Sequence, residues 1–171
     1  MPRRSRESWL GLMWEVQVLR GGAAVFGRRH EDITLSEGSA VATKVVGDYI
    51  YRDAASKAVM RAGRHYAQFT AVGGDLMFFG VIRPGWDVEG GANAFNVDGH
   101  CFYQTYSGQR WPGYSNWKGM QPAKQGDRIG LLLDLDQGSM TVWKNGVVLG
   151  VMRAEGLSDP LCWAASMYNQ G

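Results

Sequence analysis

A few places in the sequence bring chemically useful side chains close together. Asp134, Asp136 and Gly138 alternate along a short segment in the way that carboxylates open a calcium loop. Counted from Asp134, however, glycine stands at the fifth position rather than the sixth, and Asn145 stands where the bidentate glutamate belongs. A polar turn between strands explains them better. The same two aspartates share one face of a strand, as a general acid and its partner would, but no neighbouring residues supply a cleft. Gly22 and Gly27, followed by Arg28-Arg29, have the glycine spacing of a phosphate loop without its Lys-Ser/Thr. His30, His65 and His100 stand at no metal-ligand spacing from one another or from Cys101 and Cys162. No Gly-x-Ser-x-Gly elbow marks a nucleophile. The sequence therefore predicts no catalytic residue, no metal and no cofactor.

A different chemistry does emerge. Arg83, Trp86, Trp111, Tyr114 and Trp117 lie in the long stretch 83–125 between strand-like runs. Trp, Tyr and Arg dominate binding hot spots because each joins a large apolar area to a polar handle. A connection of this length must also pack on itself, so roughly half of these rings are expected to be buried. Trp9, Trp14, Trp143 and Trp163 stand in strand-like segments and are assigned to core or under-loop packing.

Strands must hold these residues in place. Gly126–Val151 predicts three consecutive antiparallel strands, with Asn145-Gly146 as a type I′ hairpin turn. A regular ladder from that turn would pair Lys144 with Val147, Val142 with Leu149 and Met140 with Val151. Both faces carry apolar residues, so cover on both sides is expected. Ala62–Thr70, from Gly63 onward, reads as a strand with Tyr66 and Gln68 on one face and His65 and Phe69 on the other. Leu76–Ile82 is an apolar run suited to burial on both faces. Cys101–Tyr106 predicts one strand, and Ile33–Leu35 and Val41–Val46 two short ones. Tyr49–Met60 supplies edge-type segments. Trp9–Leu19 reads as a short helix, with Trp9, Leu12, Met13 and Val16 on one face, or as a first strand, with Trp14, Val16 and Val18 alternating; the later part favours the strand, and Gly21-Gly22 breaks the pattern.

At 171 residues, with 24 Gly, seven Trp and seven Tyr, the chain reads as one domain of short strands and tight turns. Residues 1–13 are expected to be a partly disordered basic arm carrying Arg3, Arg4 and Arg6, and 14–171 the domain. A net charge of +2 gives no electrostatic case for nucleic acid. The apolar runs are too short for a membrane span, and the N-terminus lacks the apolar core of a signal peptide. Two buried thiols suit a reducing, cytoplasmic setting better than a disulfide does.

Ordered motifs carry a resemblance. Ala62-Gly-Arg-His-Tyr-Ala-Gln-Phe-Thr70 is similar to the GxHYxEV strand of SPRY domains, and Phe79-Gly-Val81 to the xGV strand that follows it. Gly126-Asp-x-Ile-Gly130, Leu133-Asp-Leu-Asp-x-Gly138, Lys144-Asn-Gly-x-x-Leu-Gly-Val151 and Gly156-Leu-x-x-Pro-Leu161 resemble the family's second half in the same order. The match runs from about residue 43 to the C-terminus. It implies a β-sandwich of two twisted antiparallel sheets, concanavalin-like, with at most short helical turns. It also implies a non-enzymatic protein-interaction module that needs no cofactor and acts as a monomer or as part of a longer chain.

Carried over by position, the resemblance places partner contacts in Arg83–Trp86, in Tyr103–Ser107 and at Met167–Asn169, and more loosely at Arg28-Arg29-His30. Joined to the hot-spot reading, the expected site is Arg83, Trp86, Tyr103, Tyr106, Trp111, Tyr114 and Tyr168, facing a peptide or protein. Lectin-like stacking of sugars on Trp86, Trp111 and Trp117 is the alternative. The family usually continues into one more strand beyond Asn169, so either that strand is missing or the N-terminal segment fills the edge it leaves.

Overall fold

The computed structural model describes residues 25–74 and 76–168. The expected arm 1–13, the Trp14–Val18 alternation, Gly22 and Asn169 lie outside those residues. The architecture is an all-β sandwich. One sheet has six antiparallel strands in the order β1 (Phe26–Arg29), β4 (Arg52–Ser56), β12 (Cys162–Met167), β6 (Met77–Ile82), β7 (Cys101–Gln104) and β8 (Arg110–Trp111). Facing it is a four-stranded sheet of β11 (Val147–Arg153), β10 (Ser139–Lys144), β9 (Arg128–Asp134) and β5 (Arg64–Thr70). β2 (Ile33–Ser36) and β3 (Val41–Lys44) form a separate hairpin, turned by Glu37, Gly38 and Ser39, all at positive φ. A short 3-10 turn, Ala94–Asn96, is the one helical element among the described residues.

Side-chain alternation builds the core. Ile129, Leu131 and Leu133 of β9 and Met140 and Val142 of β10 point at Phe79 and Val81 of β6 and at Trp163, Ala165 and Met167 of β12. Met77 joins that core, and the alternate residues of β6 and β12 point the other way. There Phe78, Ile82, Cys162 and Ala164 meet Val88, Ala94, Phe95 and Phe102 in a second buried cluster on the outer face of the six-stranded sheet. β6 is buried along its whole length, as the continuous apolar run requires.

Four expectations need correcting. Asn145 and Gly146 do adopt φ of 50° and 81°, and Lys144 does pair with Val147. Bulges then shift the register, so that Val142 faces Gly150 and Met140 faces Arg153. The outer face of this hairpin is not covered: Val147, Val148 and Val151 are each more than half exposed. The Tyr49–Met60 region is no edge, because β4 lies between β1 and β12 with Asp53–Ser56 buried. The strand begun at Cys101 stops at Gln104, since Gly108 at positive φ and Ser107, bonded to Gln104 and Gln109, turn the chain into β8.

Polar groups tie the ends of strands. Lys44 is fully buried, and its ammonium donates to the Asp48 carboxylate at 2.5 Å and to the Tyr168 carbonyl at 2.6 Å. This single charge fastens the end of β3 to the end of β12, and its bond holds the Asp48 carboxyl below the usual value. Gly80 has a steric role, because a Cβ there would collide with the Cys101 carbonyl on the neighbouring strand. Gly80→Ala should therefore cost about 3 kcal/mol by forcing β6 and β7 apart. Denaturant unfolding of the two chains measures it, and a cost near zero would show that the strands yield freely.

Candidate partner-binding surface

The second cluster exists because the chain after β6 folds back over the outer face of the six-stranded sheet. Trp86 holds that segment down. Its indole Nε1 donates to Asp53 Oδ2 at 3.1 Å, and its backbone carbonyl accepts from Arg28 Nη1 at 2.7 Å. Its ring meets His100 edge-on at 5.3 Å. Burial raises the Asp53 carboxyl, and the indole N–H opposes that shift. A second polar tie lies alongside. The Asp32 amide donates to Nδ1 of buried His30, which leaves Nε2–H facing Glu89 at 3.7 Å. Asp32 also pairs with Arg52 at 3.0 Å. The loosely matched Arg28-Arg29-His30 segment thus spends Arg28 and His30 on the loop that follows β6.

Aromatic rings continue across this face in an unbroken run. Tyr49 lies 5.9 Å from Tyr168, Tyr168 lies 4.6 Å from Tyr51, and Tyr51 lies 4.7 Å from Phe95. Phe95 then meets Trp111 at 5.4 Å, and Trp111 meets Tyr114 at 5.2 Å. The middle of the run is buried and its two ends are open: Tyr49 is 77% exposed and Tyr114 59%. Burial, and secondarily Tyr168, push the Tyr51 phenol up to about 12, so it stays a neutral hydroxyl.

The seven expected site residues separate into four groups. Trp111, Tyr114 and Tyr168 share the aromatic run. Trp86 and exposed Arg83 sit on the loop after β6, where the Arg83 guanidinium lies so close over Gly99 that an added Cβ would meet it at 2.5 Å. Tyr106 is 73% exposed in the turn after β7. Tyr103 is the correction. It is fully buried between the sheets with its hydroxyl donating to the Gln121 carbonyl at 2.5 Å, so its side chain reaches no surface. Strand alternation from Phe102, which faces the outer cluster, was the signal for this. Trp117, half-buried, gives its indole N–H to the Gly108 carbonyl at 2.7 Å and packs on the main core. Tyr49 and Tyr51 were missed because their segment read as an edge strand.

No family model matches the chain. Solved structures do. The SPRY domain of human HERC1 superposes with a TM-score of 0.68 at 18% identity, over 82% of this chain and 87% of that one. The TRIM65 PSpry domain gives 0.68 at 15% identity, over 95% and 91%, and another human SPRY domain 0.64 at 15%, over 82% and 91%. This chain has the SPRY fold.

On the SPRY fold the other sequence candidates resolve into structure. Asp134 Oδ1 accepts the Asp136 and Gln137 amides at 3.0 Å, and Oδ2 accepts Arg64 Nε at 3.1 Å, while Asp136 points to solvent. The pair is a turn cap rather than an acid and a base. Among the described residues no group of three or more His, Cys, Asp or Glu could hold a metal ion. His65 bonds the Ala62 carbonyl at 2.7 Å. Cys101 and Cys162 are free and buried, and burial pushes the Cys101 thiol up to about 12. No helix among the described residues is long and apolar enough to cross a membrane.

Two predictions follow from these contacts. Trp86→Ala removes packing from the second cluster and the indole bond to a buried carboxylate, and should cost about 2–3 kcal/mol. Trp86→Phe, which keeps a ring, should cost about 1–2 kcal/mol. Equal losses in chemical denaturation would remove the Asp53 bond from the account. The Asp134 bonds, that from the Gln137 amide foremost, hold its carboxyl below the ordinary 3.8. Its stabilising contribution is therefore complete above the unfolded pKa and lost as pH falls through the lower folded value. Asp134→Asn should flatten the drop in melting temperature below about pH 4. Parallel pH profiles for the two chains would assign acid lability to other carboxylates.

Proposed function

We propose that this chain is a non-enzymatic interaction module that grips a peptide or protein partner on the outer, aromatic end of the sandwich. The observation that carries this reading is the aromatic run, in which ring contacts link a buried centre to two exposed tyrosine ends. Rings already held in place lose little entropy when a ligand packs on them, which is how Tyr-rich surfaces bind. The contact residues are Arg83, Trp86, Tyr106, Trp111, Tyr114 and Tyr168, with Tyr49 added. The rings take apolar or proline side chains, and Arg83 takes a carboxylate or backbone carbonyls. Likeness to SPRY domains supports a protein partner, and the two unpaired thiols suit a reducing compartment.

Peptides selected from a display library on the wild-type chain test this. Tyr49→Ala together with Tyr114→Asn, asparagine being chosen for the 53° φ at Tyr114, changes only exposed side chains. The double variant should keep its melting temperature and bind the selected peptides at least about tenfold more weakly, a loss of about 1.4 kcal/mol. Unchanged peptide affinity, or hits on a glycan array with none from the peptide library, would overturn the reading.

A further inference from the structure

Four cations of the chain have a carboxylate beside them. Lys44 pairs with Asp48, Arg52 with Asp32, Arg64 with Asp134 and Lys144 with Asp127. Arg28, Lys57 and Arg61 do not: among the described residues, no Asp or Glu lies within ion-pair distance of any of them. These three gather in one place. Arg28 and Lys57 line an open cleft of about 560 Å³ whose walls include Leu35, Val59, Pro84 and Cys162 but no carboxylate. Arg61 stands close enough to act on the same Cys162 sulfur. Burial raises that thiol, and the charges of Arg28 and Arg61 oppose the rise without overcoming it. The sulfur therefore stays protonated and supplies no counter-charge. Arg28 spends Nη1 on the Trp86 carbonyl, while its Nη2 is buried and has no hydrogen-bond partner among the described residues. A buried charged donor without an acceptor is costly, and a negative charge brought near it lowers that cost.

We infer that this cleft receives an acidic side chain, a carboxylate next to an apolar residue, from the peptide or protein that packs on the aromatic surface. The inference rests on that surface being a docking site and adds the charge of what docks there. Two features join the cleft to the surface. Pro84 in its wall stands between Arg83 and Trp86 in the chain, and the Arg28 guanidinium bonds the Trp86 carbonyl. Charge then selects the occupant. Three positive groups meet no negative one here, although the whole chain carries only +2, so the excess is local. Lys57 and Arg61 are exposed, and their ammonium and guanidinium are free to meet a ligand. Leu35, Val59 and Pro84 give the same cleft apolar walls. An acidic side chain beside an apolar one uses both parts. A nucleic-acid backbone uses only the cations, and needs more of them in a row.

Peptides selected by display on the wild-type chain test this, with Lys57→Gln plus Arg61→Gln as the variant. Both side chains are exposed and outside any ion pair among the described residues, so the melting temperature should not move. The selected peptides should carry Asp or Glu at a fixed spacing from an apolar or proline residue. Changing that acid to its amide should weaken binding to the wild type about fivefold at low salt. The same change should do little on the variant, or in high salt, where the pairs are screened. Selection on Lys57→Glu with Arg61→Glu should exchange the acid for Lys or Arg. Peptides that weaken on Tyr49→Ala with Tyr114→Asn yet show no preference for an acid overturn this inference and leave the aromatic surface standing. No selected peptide at all overturns both. An equal loss from the amide on wild type and variant puts the carboxylate on another cation, and displacement of the peptide by a single-stranded oligonucleotide makes nucleic acid the occupant. Either result overturns the inference.

Discussion

Everything on the outer side of the six-stranded sheet follows from β6 and β12 having no polar face. Phe79 and Val81 must be buried against the four-stranded sheet, and Phe78 and Ile82 on the same strand must be buried on the opposite side. A sheet in a two-layer sandwich ordinarily leaves its outer face to water. Here water would meet phenylalanine, isoleucine and cysteine, so the chain spends the connection after β6 as a third layer. Val88, Ala94 and Phe95 from that connection close the outer cluster, and Phe78 and Phe95 stack with centroids 3.9 Å apart. The length of the 83–100 segment is the structural consequence of a strand that is apolar on both sides.

A covering layer made of loop must be pinned, because loop backbone cannot satisfy itself by a sheet ladder. Trp86 does this by bonding through its side chain to Asp53 and through its main chain to Arg28. His30 and Glu89 add a weaker tie nearby. Residues of the types expected at a hot spot are thus partly structural. The exposed part of Trp86 and the ends of the tyrosine run remain open to solvent while ring contacts tie them to the buried cluster. Preorganisation here is a by-product of covering an apolar sheet.

The legible parts of the sequence were those governed by local rules. Asn145-Gly146 specified its turn through φ alone, and the unbroken run at Met77–Ile82 specified a strand buried on both faces. Ordered motifs after residue 62 specified the SPRY fold. Tyr103 was misplaced because its residue type suggested a surface role, whereas alternation within a four-residue strand decided the matter. β4 was misread as an edge because Ala54 and Ala55 carry little hydrophobic signal. Small side chains are what allow β1 and β12 to crowd around that strand, yet they leave no periodicity to read. Tyr49 and Tyr51 were lost with it. Their role depends on Tyr168, more than a hundred positions away, and no local pattern encodes such a contact.

Among the described residues, the two edges of the four-stranded sheet are built differently. β11 presents exposed Val147, Val148 and Val151 at an open edge, an arrangement that would ordinarily invite association. Its ladder with β10 is bulged at two places, however, and Gly150 there takes a φ of 151°, where an added Cβ would run into the Lys118 carbonyl. Bulges twist an edge and spoil the regular spacing that another strand would need. β5 has no such defence. Its register with β9 runs without a break from Arg64 opposite Asp134 to Thr70 opposite Arg128. It carries neither proline nor bulge, and it opens on apolar Phe79 and Trp163 rather than on water. A twisted, bulged edge resists a further strand and a regular one does not, so among the described residues β5 is the more receptive edge of the two.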